Sequence, residues 1–158
     1  MAQDILTEVR KAYRLLFDYQ TKLLALVKYI GGKYGYNYNG GYPKFSNNQP
    51  RQGRGNLDDW AWDWLNLYFH EFHFGSKKID VNTKMYFSLF ILNDDGYFLA
   101  CQKEQQNVGR VNPNKFEKPE NSNSKLIFVV GLNCWTGKAY FSDINWCNQR
   151  FTIEEKGI

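Results

Sequence analysis

The sequence predicts an α+β fold: a long N-terminal helix and a second, aromatic helix packed on a four- to five-stranded antiparallel sheet. Three observations predict it. An apolar stripe of helical period runs through residues 4–30, an aromatic segment follows with its polar residues spaced 4, 3, 4, 3, and short apolar runs separated by turn residues fill the second half.

The first helix rests on Val9, Leu16, Leu23 and Ile30, which recur every seven residues, with Ala12 or Tyr13, Tyr19 and Leu26 or Val27 between them. Asp4 is the expected N-cap, and Gly31 and Gly32 supply residues that end helices. Leu15, Phe17, Leu24 and Tyr29 widen the stripe beyond what one sheet face covers, so either a second element packs on it or one flank meets a partner. All four stripe residues are expected to be buried.

A long loop spans residues 31–55. The segment LDDWAWDWLNLYFHEFHF then alternates Trp60, Trp62 and Trp64 as a strand would, but Asp59, Asp63, Asn66, His70 and His73 fall on one helical stripe. The polar period predicts a helix over about residues 57–71. Residues 84–92, KMYFSLFIL, are apolar on both faces, as in a central strand. The turn residues 93–96 predict a hairpin with 97–101 as the returning strand. After a polar connection over 102–124, residues 125–132 and 138–141 read as a second hairpin, and 150–153 as an edge strand. Both helices are expected on one face of the sheet. No repeat or boundary interrupts the chain, so residues 1–158 read as a single domain.

Composition bounds the function. The chain is 43% hydrophobic and 23% charged, within the range of an ordinary globular domain. Its apolar windows are too short to span a membrane, its first residues do not resemble a signal peptide, and three irregularly spaced cysteines do not form a disulfide framework. A cytoplasmic setting is expected. Aromatics make up 18% of the residues, more than a small core requires, so some are expected at the surface as contact groups. The net charge of +4 conceals a basic N-terminal third and an acidic middle.

No catalytic motif survives inspection. GLNCWTGKA at 131–139 resembles a phosphate-binding loop, but its glycines are wrongly spaced and Ala139 stands where a Ser or Thr must hold magnesium. His70 and His73 are three apart rather than four, and Cys134 and Cys147 lack the close pairing of zinc ligands. No catalytic residue, cofactor or metal is therefore expected. The loop offers more. Lys33, Tyr34, Tyr36, Tyr38, Tyr42, Lys44, Arg51 and Arg54 interleave rings and cations without any acid, a composition suited to partner or nucleic-acid contacts.

The expected function is that of a non-enzymatic binding protein, an accessory or inhibitor of a macromolecular partner, with protein favoured over nucleic acid. A single-stranded nucleic-acid binder using residues 33–54 is the alternative. A small hydrolase with His70 as general base ranks third.

Overall fold

The computed structural model describes residues 4–46, 67–110 and 112–133. Helix α1 (Ile5–Lys33) opens on Asp4, whose carboxylate accepts the Leu6 N–H at 3.1 Å and the Thr7 hydroxyl at 2.8 Å. It runs through Gly31 and Gly32 and stops one turn after Ile30. There the N–H groups of Tyr34, Gly35 and Tyr36 close on the carbonyls of Ile30, Gly32 and Gly31, and Gly35 takes the left-handed conformation at φ 68°.

Strands β1 (Gly40–Pro43), β2 (Phe69–Lys78), β3 (Lys84–Leu92) and β4 (Lys125–Leu132) form an antiparallel sheet in the order β1-β2-β3-β4. Helix α2 (Gly96–Glu104) and two 3-10 turns, Pro113–Lys115 and Pro119–Asn121, lie between β3 and β4. The α+β class, the long first helix, a second helix and a four-stranded antiparallel sheet are thus as the sequence predicts.

The second helix lies elsewhere in the chain than expected. Phe69–Glu71, the end of the helix predicted over 57–71, belong to β2, and residues 57–66 lie outside the described residues. The polar period there is coincidental: β2 is covered on both faces, with Phe69 and Glu71 buried on one and Phe72 and Phe74 on the other. Residues 97–101, predicted as a strand, instead form α2. Tyr97, Ala100 and Cys101 are spaced three and four apart and share one buried face. The turn residues before them start this helix. Asp94 accepts the Gly96 N–H at 2.8 Å, and buried Asp95 binds the Asn123 N–H at 2.8 Å and the Lys125 ammonium at 2.6 Å, drawing β4 to the helix start.

The helices do not share one face. Leu23, Val27 and Ile30 of α1 pack with Phe72, Phe74, Phe87, Leu89 and Ile91. Tyr97 and Cys101 of α2 pack with Phe45, Phe69, Phe90 and Leu92 on the opposite side. β3 lies between β2 and β4, and 97–101 does not pair with it. The strands predicted at 138–141 and 150–153 lie outside the described residues.

Candidate functional site

The residues after α1 do not form one uniform surface loop. Lys33 and Tyr34 are exposed, and the Tyr34 carbonyl accepts a hydrogen bond from Lys77 Nζ at 3.0 Å. Tyr36 is buried, donates its hydroxyl to the Met85 carbonyl at 3.2 Å, and lies 5.5 Å from the Phe87 ring, with Lys77 Nζ over its own ring at 4.6 Å. Tyr38 is exposed and leans on Phe72 and Phe74 at 6.3 and 6.4 Å. Tyr42, half-buried in β1, is paired with Glu71. Arg51 and Arg54 lie outside the described residues. All four tyrosines stand at even positions, so strand alternation would put them on one side; the positive φ of Gly35 and Gly40 interrupts the extended chain, and the cluster divides between core and surface.

Lys44 also turns inward. Its ammonium sits 2.8 Å from Glu71 Oε2, with both side chains about 5% exposed. Glu71 Oε1 accepts the Ser88 hydroxyl at 2.8 Å, and His73 Nδ1 lies 3.0 Å from the same Ser88 oxygen. Because the hydroxyl hydrogen goes to the carboxylate, His73 Nδ1 carries a proton and donates to Ser88. This Lys44–Glu71–Ser88–His73 chain ties β2, β3 and the residue after β1 together on the α2 side of the sheet. Ser88 is fully buried, so the chain is an internal polar network rather than an open nucleophile. Reading it from sequence required the strand register that places 71, 73 and 88 together; its one local sign was a lone Glu amid aromatic residues.

His70 and His73 stand on opposite faces of β2, so they do not converge on one ion. No group of three metal-ligating side chains is found among the described residues. Burial pushes the His70 imidazole down to about 4, with the Lys44 charge adding and the Glu71 charge opposing. It is neutral at pH 7, and its basicity falls below that of a general base matched to that pH.

Most of the exposed large hydrophobic side chains among the described residues lie on α1. Leu23, Val27 and Ile30 are buried, but Val9 and Leu16, predicted to join them, are 43% and 42% exposed. The stripe outruns the sheet. Tyr19 hydrogen-bonds Asn93, just past the end of β3, and N-terminal to it the same helix face carries Ile5, Val9, Tyr13 and Leu16, flanked by Leu6 and Phe17. Tyr13 is 71% and Phe17 70% exposed.

A family model, PM0109, matches residues 1–156. The chain belongs to the PM0109 family. No curated protein and no solved structure matches it. No helix among the described residues is long and apolar enough to cross a membrane.

Proposed function

We propose that this member of the PM0109 family is a non-enzymatic cytoplasmic binding protein, an accessory or inhibitor that grips a protein partner through the N-terminal half of α1. One observation carries the reading: a single helix face is core at Leu23, Val27 and Ile30 and remains uncovered by the described residues at Ile5, Val9 and Tyr13. Contiguous apolar surface with aromatic members is the mark of a protein contact site, and an amphipathic helix face is a common means of engaging a groove. Arg10, Lys11 and Arg14 lie outside this stripe, towards the polar side of the helix.

A photo-crosslinking residue at position 13, on the apolar face, should yield a discrete adduct in native cells, insensitive to nuclease. The same residue at position 11, on the polar face, should yield none. Equal labelling at both positions, or no adduct at either, would refute the reading.

The nucleic-acid alternative retains one specific support. Tyr34 and Tyr38 are exposed, as are Lys33 and Lys77, the latter held on the Tyr34 carbonyl, so two rings with cations near them face solvent. An adduct that disappears with nuclease would favour it.

A further inference from the structure

Between the last turns of α1 and the edge of β2 lies a cleft of about 460 Å³. Val27 and the rings of Tyr36, Tyr38, Phe72 and Phe74 form its apolar walls, and Lys28 and Asn37 supply polar groups. A second hollow beside it shares Tyr36, Asn37, Tyr38 and Phe74 and adds Lys77, Asn39 and Ser76. No Asp or Glu lines either one, and Lys28 forms no salt bridge among the described residues.

The two consecutive glycines at the end of α1 separate packing from vacancy. A Cβ on Gly31 would lie 2.2 Å from Phe74 Cε1, so close helix–sheet packing accounts for that glycine. A Cβ on Gly32 would meet nothing within 4 Å, and its φ lies outside the left-handed region. Glycine is among the poorest helix formers, and neither packing nor backbone conformation calls for one at this position. Gly32 is part of the cleft lining, so a side chain here would stand in open space at its wall.

From the open glycine, the aromatic walls and the unopposed lysine, we infer that this cleft is a binding site for a small planar aromatic acid. The volume lies within the roughly 300–1,000 Å³ of small-molecule sites. The aromatic body stacks among Tyr38, Phe72 and Phe74, and the anionic group is drawn to the Lys28 ammonium at the cleft wall. This site is separate from the apolar face of α1's N-terminal half and does not depend on it.

The test uses the whole chain, amide chemical shifts, and two probes of one shape, 2-naphthoate and the neutral 2-naphthalenemethanol. Naphthoate should shift the Gly32, Asn37 and Tyr38 amides saturably, with a Kd below about 1 mM, and the alcohol should bind about tenfold more weakly. Lys28→Gln should erase that difference by weakening naphthoate alone. Gly32→Leu should abolish binding of both probes, whereas His73→Gln, on the far face of the sheet, should leave it intact. If Gly32→Leu fails to melt cooperatively, the comparison of the two probes on the wild-type chain decides. Absence of saturation at about 5 mM, equal affinity for acid and alcohol, or shifts centred elsewhere would each overturn the assignment.

Discussion

The Lys44 ammonium and the Glu71 carboxylate meet at 2.8 Å inside the protein, one from the residue after β1 and the other from β2. Breaking this pair from one side leaves a buried charge without its counter-ion. Glu71→Gln or Lys44→Met alone should therefore cost about 3–5 kcal/mol. Replacing both, as Lys44→Met with Glu71→Leu, should recover most of that loss, because the desolvation penalty of both ions disappears with them. Urea melts of the four proteins close the cycle. Single-variant losses below about 1 kcal/mol would mean that water reaches the pair.

Burial along α1 predicts a gradient of stability effects. Leu23 is packed among Val27, Ile30 and the sheet, so Leu23→Ala should cost about 2–5 kcal/mol. Leu16→Ala should cost well under half as much, since the side chain is half-exposed. Tyr13→Asp should change stability by no more than about 0.5 kcal/mol, as substitutions at uncovered surface do. A large loss from Tyr13→Asp would show that the chain itself covers this face, and would remove the support for its being a partner site.

Much of this architecture was legible in the sequence, and the exceptions have physical causes. The seven-residue spacing and the Asp4 cap locate α1 because a long amphipathic helix repeats its signal many times. The period alone does not disclose where its partner surface ends, so Val9 and Leu16 look identical in pattern to Leu23 and Ile30. β3 was readable as central because a strand buried on both faces loses its alternation altogether. β2 was obscured for a related reason: a strand covered on both faces, with Glu71 neutralised by distant Lys44 and His70 held neutral by burial, can carry polar residues at any spacing. In 97–101 the turn residues outweighed a three-four periodicity too short to stand out. The loop site was legible as a composition but not as a surface. Chain direction at Tyr36 and Lys44 decides which groups face solvent: the Tyr36 N–H closes on the Gly31 carbonyl of α1 and the Lys44 N–H on the Phe69 carbonyl of β2.

The glycine pair of α1 gives a sign test at adjacent residues. Gly31→Ala places a methyl against the Phe74 ring, which already stacks on Phe87 at 5.1 Å and has little room to retreat. A loss of about 1–3 kcal/mol is expected, as for other overpacked cores. Gly32→Ala adds a methyl to open space in a helix and should stabilise by up to about 1 kcal/mol. Thermal melts of the two variants should therefore move in opposite directions. Shifts of the same sign would mean that the helix end is not packed on β2 as described.

His70 makes stability depend on pH in a direction that can be worked out. Its imidazole titrates at about 4 in the folded chain, against 6.5 for the free side chain, because burial disfavours the charged form. Between those values the unfolded chain holds a proton that the folded chain lacks. Falling pH therefore favours unfolding: the stability that His70 confers is complete above pH 6.5 and is lost progressively towards pH 4. The slope approaches about 1.4 kcal/mol per pH unit inside the window, and the whole shift amounts to roughly 3 kcal/mol. Carboxylates also titrate near its lower end, so the informative quantity is the difference from a variant without the imidazole. Urea midpoints of wild type and His70→Gln, measured from pH 7.5 to 4.5, should converge as the pH falls, because only the wild type loses this contribution. Parallel curves through the window would mean that solvent reaches the ring and that its proton affinity is the ordinary one.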